Sequence, residues 1–192
     1  DMAGDQLVIE TNWNAPNRRV VVADAAKPWP QSWKTIVPES PDAVIEDVSL
    51  AGGRLYVSVL QNVVAKLRVY GLDGLGGSEI PLPGMGTVSG MNGEWAGKEG
   101  YFQYSSFNQP PTIYRYDFTS GNASPWWKSS APFPTDAFEV RQFSIRSTNG
   151  AKVPFFVVAR KGWAFDGSNK VLMGGYGGFN VSVTSQFSPF IA

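Results

Sequence analysis

The stretch RLYVSVLQNVVAKLRVYGLDG, residues 54–74, decides how the rest of the chain is read. RLYVSVLQN (54–62) is a β-branched and aromatic run that ends in a polar turn, and KLRVYGLDG carries a second strand that closes on Asp73. The same couple occurs twice more. LVIETN (7–12) is followed by RRVVVADA, closing on Asp24, and YFQYSSFN (101–108) by TIYRYDFTSG, closing on Asp117. The aspartates stand 49 and 44 residues apart, and each interval has room for four short strands, the period of a four-stranded propeller blade. VIEDVSL (44–50) and TVSGMN (87–92) read as leading strands of the second and third units. WKTIVPE (33–39), SEIPLPG (78–84) and PWWKSS (125–130) read as outer edge strands, where Pro and Trp are tolerated. The three aspartates are expected to accept hydrogen bonds from the turns that lead into those outer strands.

About two and a half blades in a row leave an apolar face open at each end. The chain is therefore expected to pair with more blades or to be a segment of a longer protein, the second being favoured by its start at Asp1. The propeller portion is expected to occupy residues 1–135. Around there the texture changes. APFPTDAF (131–138) is a Pro-rich linker, and EVRQFSIRSTNGAKVPFFVVARKG follows as two strands joined at Asn149-Gly150, a pair that favours a type I′ hairpin turn. From Val153 to Arg160 the apolar residues are nearly continuous, as in a strand covered on both faces of an α/β layer. After the polar WAFDGSNK, VLMGGYGGFN (171–180) reads as a third strand running into a glycine-rich turn with one phenol at its centre. No helix is strongly signalled.

Composition removes whole classes of function. The 192 residues carry 16 basic and 16 acidic side chains, so no net positive field gathers nucleic acid or an anionic membrane. The longest apolar run, Val153 to Ala159, is too short to span a bilayer, and DMAGDQ at the start is no signal segment. Cysteine and histidine are both absent, which rules out a disulfide framework, a thiol nucleophile and any triad that depends on an imidazole within these residues. No G-x-S-x-G elbow can be spelled; GTVSG (86–90) and GGSEI (76–80) misplace the serine or a glycine. GEWAGKE (93–99) falls one residue short of a phosphate loop and has Glu99 where a hydroxyl is needed, and Asn180 stands where a dinucleotide loop needs its third glycine. Glu46 and Asp47 are neighbours in a strand pattern and so face opposite ways, unsuited to paired acid–base work.

The order of blades, Pro-rich return, STNGAKVPFFVV hairpin and GGYGGFNVSVTSQFS resembles the prolyl oligopeptidase family of serine peptidases, and GYGGFN is close to the signature of its prolyl endopeptidase branch. LVIETNWNAPNRRVVVAD, IEDVSL, LPGMGTVSG and TIYRYDFTSG extend the resemblance over nearly the whole chain. It implies a mostly β segment: the last blades of a seven-bladed β-propeller, then, over residues 136–192, the first strands of an α/β-hydrolase catalytic domain. It also implies cleavage of short proline-containing peptides after proline, a cytoplasmic setting, no metal or organic cofactor, and the rest of the same protein as partner. Tyr176 matches the tyrosine whose hydroxyl, with a backbone N–H beside the nucleophile, forms the oxyanion hole. Phe179 matches an aromatic residue lining the pocket for the substrate proline. The family's nucleophilic serine, acid and histidine have no counterpart here, so the isolated chain is expected to be inactive. Read without the family, Tyr176 is a strand-end tyrosine and Phe179 a core residue. Asn180 heads an N-V-S sequon but is expected to bond a buried turn, and Trp126 and Trp127 are expected to pack at a blade edge. Two alternatives stay open: a non-catalytic propeller-type module that binds a protein or peptide, and a related oligopeptidase of different specificity.

Overall fold

The structure is a computed structural model that describes residues 1–179 and 181–189. Strands make up 49% of the described residues and helix 3%. The first sheet runs in chain order through β1 (Met2–Ala3), β2 (Gln6–Thr11), β3 (Arg19–Asp24) and β4 (Lys34–Val37). The second repeats the pattern with β5 (Val44–Ala51), β6 (Arg54–Gln61), β7 (Val64–Tyr70) and β8 (Gly76–Ile80). In the third, β9 (Thr87–Val88) and β10 (Asn92–Gly93) both pair with β11 (Glu99–Ser106), which continues to β12 (Gln109–Asp117) and β13 (Ala123–Lys128). Instead of two and a half blades there are three sheets. The first is completed by β1, a two-residue strand whose composition carries no strand signal.

Each sheet is a meander of neighbours in sequence, so side chains, rather than shared strands, hold most of one sheet against the next. Along β6, Leu55, Val57 and Val59 point toward the first sheet and pack on Val8, Val20, Val22 and Ile36. On the opposite face Tyr56 joins Leu67, Val69 and Ile80, and these meet Met91, Phe102, Tyr104 and Tyr116 of the third sheet. A strand sandwiched in this way is buried on both faces, which is why RLYVSV is apolar almost throughout. Burial pushes the Tyr56 phenol well above its ordinary range, chiefly by desolvation, and raises Tyr104 and Tyr116 for the same reason.

The three aspartates do what their position demands. Asp24 accepts the Ala26 N–H at 2.8 Å, Asp73 the Leu75 N–H at 2.9 Å, and Asp117 the N–H groups of Thr119 and Ser120 at 2.9 and 2.8 Å. Two backbone donors hold the Asp117 carboxyl below the ordinary carboxylate range.

β14 (Phe138–Arg146) and β15 (Lys152–Arg160) form a separate two-stranded hairpin. Its turn is not type I′. Asn149 keeps a negative φ and only Gly150 is left-handed, at φ 85°, while Gly150 N–H donates to Ser147 O at 2.9 Å and Ala151 N–H to Asn149 Oδ1 at 3.0 Å. This is the longer turn with one left-handed glycine, set by a loop that starts at Ser147 rather than at Asn149. The true two-residue left-handed turns lie in the second sheet, at Gly52-Gly53 and at Asn62-Val63, the latter with φ 50° and 58°. β15 is also not covered on both faces: Val153 and Phe155 are 42% and 38% exposed, because a lone hairpin leaves one face to solvent. The expected third strand does not form. Residues 171–177 have no strand partner among the described residues, and Val171, Leu172 and Met173 are 85–93% exposed. A strand forms only where its backbone groups pair with a neighbouring strand, and no strand among the described residues pairs with this run.

The hairpin rests on one end of the sheets. Gln142 Nε2 donates to Asn62 O at 2.6 Å, Asn108 Nδ2 donates to Phe138 O at 3.0 Å, and the Phe156 ring meets Phe107 edge-on at 5.4 Å. Asn62-Val63 and Phe107-Asn108 are the corresponding turns of the second and third sheets, between their second and third strands.

Candidate active site

Beyond β15 the described residues up to 189 form no strand or helix. Phe179 lies in a short turn closed by the Val181 N–H donating to Gly178 O at 3.1 Å, and Tyr176 stands two residues before that turn begins. Asn180 lies outside the described residues. The Tyr176 hydroxyl folds back over Gly178, where a side-chain methyl would come within 3.1 Å of it, so the small residue leaves the phenol its place. Phe179 is left-handed at φ 54°, a conformation a phenylalanine rarely takes. Neither ring is in the core: Tyr176 is 57% exposed and Phe179 94% exposed. No core residue and no pocket wall packs against Phe179 among the described residues.

The chain regains contact a few residues later. Ser185 is fully buried; Thr87 Oγ1 donates to its carbonyl at 2.9 Å, and Phe107 N–H donates to its hydroxyl at 3.1 Å. Phe187 N–H donates to Ser105 Oγ at 3.3 Å, and the Phe187 ring stacks on Phe133 at 5.8 Å. A cavity of about 430 Å³ opens beside this seam, with Glu46, Ser89 and Gln103 on its sheet side and Thr184 and Gln186 on the other. Ser185 escaped the sequence reading because its partners lie 98 and 78 residues away, and a lone serine in VTSQFS carries no local signal for such contacts. Trp126 and Trp127 sit on the edge strand β13, 62% and 52% exposed, with Trp126 edge-on to Tyr101. Among the described residues no three His, Cys, Asp or Glu side chains gather to hold a metal.

The family model for the prolyl oligopeptidase N-terminal β-propeller domain matches residues 1–129. The chain belongs to the prolyl oligopeptidase family. It is 32% identical to the prolyl endopeptidase of Elizabethkingia miricola over 98% of its length, and spans 26% of that relative. Among solved structures it superposes on one from a study of two prolyl endopeptidases with a TM-score of 0.90 at 36% identity, covering 99% of this chain and 28% of that one. Prolyl oligopeptidase B from Galerina marginata, solved with a 35-residue hydrolysis and macrocyclisation substrate, matches with a TM-score of 0.87 at 30% identity over 99% of this chain and 27% of the other. The sheets described above are thus propeller blades of a prolyl oligopeptidase, and this chain spans about a quarter of the length of such relatives.

Proposed function

We propose that this chain works within a serine peptidase that hydrolyses short peptides on the carboxyl side of proline. The observation that carries this reading is similarity to prolyl endopeptidases over 98–99% of the chain, well past the propeller match and through the glycine turn. In this reading residues 136–192 open an α/β-hydrolase domain, and the exposed apolar run at 171–173 finds sheet neighbours there.

The chemistry assigned to the turn follows from its side chains. A phenol is a neutral donor on a two-torsion arm, suited to steadying the negative oxygen of a tetrahedral intermediate without carrying charge into the ground state. Tyr176 takes that role, together with a backbone N–H beside the nucleophile. The flat ring of Phe179, 94% exposed, stacks on the substrate pyrrolidine. The serine nucleophile, acid and imidazole base come from elsewhere in the enzyme, since this chain has no histidine to move the proton. The blades restrict entry to short, unfolded peptides.

The test compares the complete peptidase with the 192-residue chain on a chromogenic Gly-Pro substrate and on its Gly-Arg counterpart. The expected result is turnover by the complete enzyme with Pro strongly preferred, and none by the isolated chain. Preference for Arg, or turnover by the isolated chain, overturns the reading.

A further inference from the structure

The glycine turn has almost no contacts of its own. From Lys170 to Gly177 no hydrogen bond is made among the described residues, four of the eight residues at 171–178 are glycine, and the apolar side chains before them lie in solvent. Yet an oxyanion donor has to be held to within a fraction of an ångström of the developing charge, and a misplacement of about 1 Å costs on the order of 10²-fold in rate. A turn of this kind takes its position from its anchors.

The downstream anchor is Ser185. It is the first fully buried residue after the turn, and it is gripped twice: its carbonyl by the Thr87 hydroxyl of β9, its hydroxyl by the backbone N–H of Phe107. Both partners belong to the third blade. Phe107 also packs on Phe156 of β15, so one blade turn touches both the hairpin upstream of the glycine turn and the segment downstream of it. Ser185 stands six positions after Phe179 and nine after Tyr176, a reach of at most about 30 Å, so its anchorage bounds where the Tyr176 turn can lie.

We propose that Ser185 is a positioning residue through which the third blade aims the Tyr176 hydroxyl at the reacting carbonyl. This rests on the assignment of Tyr176 to the oxyanion hole. The propeller then does more than restrict access: it supplies part of the frame of the catalytic site. Losing the Ser185 hydroxyl leaves the part-buried Phe107 N–H without this acceptor and releases one of the two bonds that hold the segment to the blade.

The experiment is a double-mutant cycle in the complete peptidase, with kcat and KM measured on a short proline substrate. Tyr176→Phe alone is expected to lower kcat by about 10²- to 10³-fold. Ser185→Ala is expected to lower kcat about tenfold with KM within about twofold, and to cost less than about twofold when Tyr176 is already Phe. Thr87→Val, which removes the donor to the Ser185 carbonyl from the blade side, is expected to show the same dependence on Tyr176 with a loss of about threefold, and decides the matter if Ser185→Ala does not fold. The proposal fails if these variants lower kcat by the same factor with and without the Tyr176 hydroxyl, or do not lower it at all. If Tyr176→Phe itself leaves kcat unchanged, the oxyanion assignment falls and takes this inference with it.

Discussion

Replacing either glycine of the Gly52-Gly53 turn by alanine puts the same methyl group into two very different places. Both residues are left-handed, at φ 54° and 71°, and both donate across to the third blade, Gly52 N–H to Glu94 O at 2.9 Å and Gly53 N–H to Trp95 O at 2.7 Å. A methyl on Gly53 meets nothing within 4 Å, whereas one on Gly52 drives into the Phe118 ring and comes to 2.9 Å from the Phe118 Cβ. That ring is held on other sides as well. It is packed against Tyr56 at 5.7 Å and Tyr116 at 5.9 Å, and its far edge presses on Gly100. The left-handed backbone costs any alanine here roughly 1–2 kcal/mol, and overpacking at Gly52 adds roughly 1–3 kcal/mol. The loss of chain entropy in the unfolded state is common to both variants and cancels in the comparison. Gly53→Ala should therefore destabilise by about 1–2 kcal/mol and Gly52→Ala by about 2–5 kcal/mol, a gap of about 1 M in the urea midpoint. Urea titration followed by tryptophan fluorescence measures it, with Trp95 next to the turn. Equal midpoints for the two variants would refute the claim that Phe118 is locked against this turn.

Other measurements bear on separate parts of the molecule. Leu67→Ala, at a fully buried position between the second and third blades, should cost about 2–5 kcal/mol in the same urea assay; a loss under about 1 kcal/mol would mean the two blades do not pack there as described. Phe179→Ala in the complete peptidase should raise KM for a proline substrate about tenfold while affecting an alanine substrate less; equal effects on both would remove Phe179 from the proline pocket. Asp117 has its carboxyl held below the ordinary 3.8 by two backbone donors, so it stabilises the fold at neutral pH and loses that contribution as pH falls through its depressed value. The stability difference between the native chain and Asp117→Asn should thus be constant above about pH 5 and shrink below about pH 4; a difference that persists at lower pH contradicts the account.

Local patterns carried most of the blade architecture. The strand couples ending at Asp24, Asp73 and Asp117 were legible because alternation, turn chemistry and spacing are all short-range, and the aspartates bond the very turns that follow them. Where the structure departs from the sequence reading, long-range partners decide. VLMGG has strand composition but no edge to pair with, and β6 and β15 look equally apolar although one is enclosed by two blades and the other open on one side. The hairpin turn shows the same limit on a smaller scale: Asn149-Gly150 suits a two-residue turn, yet the register Arg146 opposite Lys152 makes the loop longer. At the candidate site, Tyr176 and Phe179 were recognisable through a family pattern. Ser185 was not, since its environment is assembled by Thr87 and Phe107 from a distant blade.

The Asn62-Val63 turn has a mechanical meaning. A β-branched residue at φ 58° is a costly backbone state that persists because the Gln61–Val64 strand pair closes the turn around it, and that closure directs the Asn62 carbonyl. With the Gln142 amide seated on that carbonyl, the turn acts as a stiff peg on the propeller rim, and it locates the hairpin by its rigidity rather than by the extent of the contact.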